Sequence, residues 1–213
     1  MKYIRNTSDV KQILRKCRIT FRTGKVGGAL NEIQLITKAQ HGDKKAYGDL
    51  MKLHYRTVEK FAFQCGVRLD DVPDVTQEVF IKLYRFLHHF KQDRFTTWLY
   101  KITLNTTRDY YRKESRERDK QQKIMIYGEH FESNSAEISV FMLEEDKELH
   151  EAIIKLDEKY RMPLILFYFQ DLTYDQIADV LSITQSTVKT RLFRARGRLK
   201  IVIEELGGAE NGR

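Results

Sequence analysis

Only three residues, Ser182, Ile183 and Thr184, separate two apolar-striped segments in LTYDQIADVLSITQSTVKTRLFRARGRLK, the stretch from Leu172 to Lys200. A turn that short leaves two helices little choice but to cross. Thr173 and Gln176 have capping-box spacing, which predicts that the first helix starts at Thr173. Ile177, Ala178 and Leu181 then share one of its faces. Thr184 is placed to cap the second helix. That helix turns Val188, Leu192, Ala195 and Leu199 toward the first and carries Lys189, Arg191, Arg194, Arg196, Arg198 and Lys200 on its remaining surface. A helix apolar on one side and basic on the other can rest on a protein while lying in a DNA major groove. For any one of these arginines taken alone, a solvated surface position is the alternative.

The remainder of the 213-residue chain repeats the same helical pattern. It holds two prolines and almost no alternating runs, so the spacing predicts an all-α protein. A net charge of +8 favours a polyanionic partner. The two cysteines, Cys17 and Cys65, are far apart and lack neighbours at metal-ligand spacing, which points to free thiols in a reducing compartment. No apolar run approaches the roughly 20 residues of a membrane span, and the basic N-terminus lacks the apolar core of a secretory signal. The expected location is therefore the cytoplasm, with no membrane insertion, no metal and no cofactor.

In chain order, residues 1–29 form a basic extension with one acid, Asp9, and a short stripe of Val10, Ile13, Leu14 and Cys17. It reads as a loosely ordered segment that either touches nucleic acid or stays solvated. Helical patterning runs through 30–113. Ile33, Leu35, Ile36 and Ala39 lead to a stop at His41-Gly42, and Asp43 caps the next helix. A third helix opens at Asp71 or Pro73, where Asp70, Asp71 and Asp74 suit the positive end of its dipole, and its apolar set is Val75, Val79, Phe80, Leu83, Tyr84 and Leu87. After a polar break, a fourth helix is expected from Trp98 to Lys113, its cations interleaved with aromatics in a mixture suited to single-stranded nucleic acid; the alternative is that Phe95, Trp98 and Tyr100 are simply core. Residues 114–140 read as a flexible linker, 141–206 as a second small helical domain with Asp157 capping its second helix, and 207–213 as a frayed tail. The expected architecture is two small helical domains on a linker, the C-terminal one a helix-turn-helix.

Two stretches together resemble a known family. DVPDVTQEVFIKLYRFLHHF with FTTWLYKITLNTTRDYYRK is similar to region 2 of bacterial sigma-70 family initiation factors, and LDEKYRMPLILFYFQDLTYDQIADVLSITQSTVKTRLFRARGRLK is similar to their region 4. The absence of further domains resembles the small extracytoplasmic-function (ECF) group. Three departures stand out: the basic extension, Ser182 where a turn glycine is common, and Thr103-Leu104 ahead of Asn105 where small residues are often seen.

The resemblance implies a non-enzymatic sigma factor that binds core RNA polymerase and directs promoter-specific initiation through −35 and −10 elements. It gives Asp74, Gln77, Glu78 and Phe80 to the clamp helices of the largest polymerase subunit, while region 4 also meets the flap. It places a pocket for a flipped −10 base at Lys91, Gln92, Asp93, Arg94, Phe95, Thr96 and Thr97, with Asn105 behind it; Trp98, Lys101 and Arg108 would help hold the melted strand. Lys189, Thr190, Phe193 and Arg194 are assigned to the −35 duplex; Arg191, Arg196 and Arg198 to phosphates; Ser186 and Thr187 to phosphate at the helix start. An anti-sigma factor would be a further partner. Two alternatives come from other classes. One is a stand-alone helix-turn-helix regulator, which would not bind core polymerase. The other is a metal-dependent nuclease using Asp70, Asp71, Asp74 and Glu78, although the helix dipole already accounts for acids at that position.

Overall fold

The computed structural model of the protein describes residues 9–10, 12–14, 29–91, 94–122 and 144–210. Among these every regular element is helical: α1 (Ala29–Gln40), α2 (Lys44–Gln64), α3 (Val72–Phe86), α4 (Phe95–Gln122), α5 (Glu144–Ile154), α6 (Glu158–Tyr168), α7 (Tyr174–Leu181) and α8 (Gln185–Glu210), with single 3-10 turns at Leu69–Asp71 and Leu87–His89. Residues 29–63 and 67–122 make one compact unit. Residues 144–210 make the other, with 9–10, 12–14 and 64–66 grouped in it. Val10 and Leu14 are fully buried, so that part of the N-terminal stripe is packed rather than a solvated tail. Cys17 lies outside the described residues.

In the first unit, α1 stops where Gly42 takes a φ of +90°, a conformation that favours glycine. Asp43 N then donates to the Lys38 carbonyl at 3.1 Å and Gly42 N to Ala39 at 3.0 Å, the paired bonds of a Schellman end. The Asp43 carboxylate accepts from Lys45 N (2.9 Å) and Ala46 N (3.0 Å), capping α2 as expected. Ile36 and Ala39 are buried, whereas Ile33 is exposed. Pro73 sits in the first turn of α3, where its missing N–H has no intrahelical partner to lose. Val79, Phe80 and Leu83 turn inward and meet Leu50, Val58, Phe95 and Leu99 in one core, and Val75 is buried on the same helix.

Helix α4 opens at Phe95, three residues ahead of Trp98, and runs through Lys113 to Gln122, into the expected linker. The reason is local. Residues 114–122 hold no glycine or proline, and their Glu, Arg, Lys and Gln are strong helix formers. Thr103, Thr106 and Thr107 are buried, and their hydroxyls donate back to the carbonyls of Leu99, Ile102 and Leu104 at 2.8–2.9 Å.

In the second unit, both halves of the capping box form: Gln176 N donates to Thr173 Oγ1 (3.3 Å) and Thr173 N to Gln176 Oε1 (2.9 Å). Ser182 has φ 54° and ψ 48°, the left-handed conformation for which glycine is the usual choice, and Ile183 N closes the turn on the Ala178 carbonyl at 3.0 Å. Thr184 Oγ1 accepts from Thr187 N at 3.2 Å and caps α8. Val188, Leu192, Ala195 and Leu199 are each at most 1% exposed, and Val180 joins Ile177 and Ala178 in the core beneath them. Asp157 departs from expectation: it stands at the N-cap of α6 but its side chain makes no cap bond. Nor does α8 fray at Gly207-Gly208; it is helical to Glu210. Among the described residues no helix is long and apolar enough to cross a membrane.

His150 on α5 has its pKa pushed down to about 4, first by lost hydration and second by the positive charge of Arg161. The folded chain therefore refuses a proton that the unfolded chain accepts near pH 6.5. Stability falls as pH drops from about 6.5 toward 4, by at most about 1.4 kcal/mol per unit. Urea melts at pH 7.5 and 5 should show wild type losing more stability than His150→Gln across that interval.

Candidate nucleic-acid interface

With its apolar stripe buried, α8 presents Ser186, Lys189, Thr190, Phe193 and Arg194 to solvent, while Thr187, Arg191 and Arg196 are half-buried. Phe193 is 70% exposed, an unusual setting for a phenylalanine and one that leaves an apolar ring among cations. Thr190 donates its hydroxyl to the Ser186 carbonyl at 3.0 Å. At the helix start, Thr184 Oγ1 lies 3.0 Å from Ser186 Oγ and 2.8 Å from Thr187 Oγ1, close to the free amides of the first turn. Lys189 Nζ lies 5.8 Å from the Tyr174 ring centre. Gln185 Nε2 donates to Asp175 at 3.0 Å, pinning the start of α8 to α7. Arg198 is placed differently from the other arginines: its guanidinium stacks 4.6 Å from the Tyr160 ring centre, with Asp157 3.9 Å away.

In the first unit the segment leading into α4 is tied down by Gln40, whose Nε2 donates to the carbonyls of Leu87 (3.0 Å) and Phe90 (2.8 Å). Behind it three rings pack together. Phe90 stacks on Trp98 at 4.9 Å, Phe95 meets Phe90 edge-on at 5.5 Å, and Phe95 meets Trp98 at 5.9 Å. Phe95 is 5% exposed and belongs to the core, so its ring supports the segment from beneath rather than facing outward with Lys91 and Arg94. Gln92 and Asp93 lie outside the described residues. Trp98 is partly buried against the core, with Thr96 half-buried beside it. Trp98, Lys101, Asn105 and Arg108 recur at helical spacing and share one side of α4 over about 15 Å. Lys101 and Asn105 are exposed, and Arg108 Nη1 reaches Asn105 Oδ1 at 3.5 Å. Phe90 was not singled out in the sequence, yet the spacing Phe90, Phe95, Trp98 carries the signal.

On α3, Asp74, Gln77 and Glu78 are exposed along one stripe. Phe80, expected beside them, is 2% exposed and lies parallel to the Tyr55 ring at 6.0 Å. It is a core residue because position 80 continues the inward stripe of Val72, Val75 and Val79. The outward stripe continues instead at Ile81, 38% exposed. Glu78 lies 3.9 Å from Lys82, which also donates to Asp109 at 2.8 Å. That bond holds the Asp109 carboxyl below the usual carboxylate range, with Arg112 adding to it against partial burial. Of the four carboxylates in the nuclease alternative, Asp71 accepts from Tyr110 Oη at 2.7 Å and lies 3.7 Å from Arg68.

Comparison with known proteins covers both units. Residues 50–117 match the family described as Sigma-70 region 2, and residues 146–199 match Sigma-70, region 4. The ECF RNA polymerase sigma-E factor of Escherichia coli K12 is 35% identical over 185 residues, 83% of this chain and 96% of that protein. The RNA polymerase sigma-H factor of Pseudomonas aeruginosa is 32% identical over 186 residues, 81% and 94% of the two chains. CnrH, solved in complex with the cytosolic domain of CnrY, superimposes with a TM-score of 0.63 at 25% identity, over 82% of this chain and 98% of its own.

The opposite settings of Phe80 and Ile81 have a direct consequence. Phe80→Ala should cost about 3–5 kcal/mol of stability through the cavity it leaves, whereas Ile81→Ala should stay within about 0.5–1 kcal/mol of wild type. Denaturant titration of the two variants checks this.

Proposed function

The chain belongs to the extracytoplasmic-function group of sigma-70 family RNA polymerase sigma factors, and from that premise we propose how its exposed residues divide the work of initiation. It binds core RNA polymerase and directs transcription from chosen promoters, recognising −35 and −10 elements. The proposed regions are 30–113 for region 2 and 141–206 for region 4. The observation that supports the division of roles is the segregation of charge. The exposed stripe of α3 is acidic and polar, and the exposed face of α8 is basic.

In this reading Asp74, Gln77, Glu78 and Ile81 dock on the largest polymerase subunit. Phe80 acts from within by fixing the rotation of α3. Lys91, Arg94 and Thr96 line the segment that receives a base flipped from the −10 element, backed by Phe90, Phe95 and Trp98. Extruding a base costs a few kcal/mol, least where the duplex is already opening, so a pocket for one base can select among promoters. Lys101, Asn105 and Arg108 continue the track for the single strand. On α8, Lys189, Thr190, Phe193 and Arg194 read the −35 duplex, the Phe193 ring being suited to a thymine methyl. Arg191, Arg196, Ser186 and Thr187 meet phosphates, which set register without reading sequence. The chain contributes binding energy rather than catalysis, and its proposed setting is the bacterial cytoplasm. An anti-sigma factor is a further proposed partner, on the family resemblance alone.

Two substitutions test the assignment. Glu78→Lys should abolish stoichiometric binding to core polymerase in gel filtration while the helical circular-dichroism spectrum is kept; wild-type affinity would overturn the docking role. Arg194→Ala should weaken −35 duplex binding by about 1–3 kcal/mol, with the loss confined to particular base pairs when each is substituted in turn. Equal loss on every duplex would move Arg194 to a phosphate.

A further inference from the structure

The cations of α8 are not all in the same state. Arg191, Arg194 and Arg196 have no acidic partner among the described residues. Beyond them Arg198 lies over Tyr160 and 3.9 Å from Asp157, and Lys200 lies 3.5 Å from Glu204. The change falls between Arg196 and Arg198. Arg194 and Arg198 are four residues apart and so lie on one stripe. A duplex running along Arg194 passes within reach of Arg198 as well.

Asp157 supplies the second observation. Its backbone (φ −50°, ψ 140°) holds the N-cap position of α6, where an aspartate ordinarily gives its carboxylate to first-turn amides. Here it makes no such bond. The carboxylate instead lies near Lys159 at 3.8 Å and Arg198 at 3.9 Å, and the Tyr160 ring supports both cations, with Lys159 Nζ 5.2 Å from its centre. To a guanidinium, a carboxylate so placed offers the same charge and acceptor chemistry as a DNA phosphate.

We propose that Asp157, with Tyr160 as a platform, holds the Arg198 guanidinium back from the DNA backbone, so that the cationic footprint of α8 ends at Arg196. The proposal rests on the reading of α8 as a duplex-binding helix. Asp157 is thus a positioning residue that lowers affinity for DNA of any sequence. Exposed pairs of this kind shift such a balance by up to about fivefold, enough to trim binding without locking the side chain.

The test uses the full chain and a short fluorescent duplex of random sequence, titrated between about 50 and 200 mM salt. Asparagine caps helices as well as aspartate does, so Asp157→Asn keeps the start of α6. Asp157→Asn should bind about two- to fivefold more tightly and steepen the plot of log affinity against log salt by about 0.9. Arg198→Ala alone should leave the slope unchanged, and Asp157→Asn with Arg198→Ala should return affinity and slope to wild type. The double variant separates release of Arg198 from the mere loss of a negative charge, which would raise affinity in either background. An unchanged slope in Asp157→Asn, a slope shallower by about 0.9 in Arg198→Ala, or tighter binding by the double variant each overturns the proposal. A wild-type chain that binds neither random nor promoter duplex would instead overturn the duplex-binding reading, and the proposal with it.

Discussion

Each helix here is set in rotation by the stripe it buries, and what it can offer a partner is whatever that setting leaves outside. Phe80 shows the constraint at its simplest. Its ring is enclosed by the core and lies parallel to Tyr55, so α3 cannot roll without opening a cavity in close-packed surroundings. With α3 held there, Asp74, Gln77, Glu78 and Ile81 must face solvent. The same logic governs α8, where burial of Val188, Leu192, Ala195 and Leu199 leaves the arginines no inward alternative. The proposed docking face and the proposed DNA-reading face are thus consequences of packing on the opposite side of each helix.

Rotation alone does not place a loop or a turn, and at those points single polar groups decide the path. Gln40 spans the carbonyls of Leu87 and Phe90 and thereby fixes the approach to α4. Ser182 takes a left-handed conformation at some cost for a residue with a Cβ, while Thr173, Gln176 and Thr184 satisfy the helix ends on either side of it. A capping group contributes about 1 kcal/mol, little beside the core, yet it fixes where each helix begins. The three rings of Phe90, Phe95 and Trp98 have a mixed character. One is core, two are partly exposed, and together they make a stiff wall beside an exposed cationic segment.

Much of this was legible beforehand because local signals and burial agreed. The capping box, the Thr184 cap, the Asp43 cap and the inward face of α8 all rest on spacing that a 3.6-residue helix enforces. The misjudged positions share a different cause. Phe80 belongs to the apolar stripe of its helix by spacing, while the family resemblance gives it a docking role; its enclosure beside Tyr55 leaves it to the core. Residues 114–122 carry the mixed charges of a solvated linker, but the same residues are strong helix formers and simply extend α4. Asp157 sits where a cap belongs, yet its carboxylate lies nearer to cations that are close in space and, in the case of Arg198, 41 residues away in sequence.

By itself the amino-acid sequence determined the all-helical architecture, the start of most helices, the crossing at Ser182–Thr184 and the family to which the chain belongs. These depend on interactions among residues a few positions apart. Only the tertiary structure decided that Phe80 is enclosed beside Tyr55, that Gln40 ties down the approach to α4, and that Arg198 is held by Tyr160 and Asp157. Each of those outcomes turns on a distance between segments separated along the chain, and residue spacing within one helix carries no information about it.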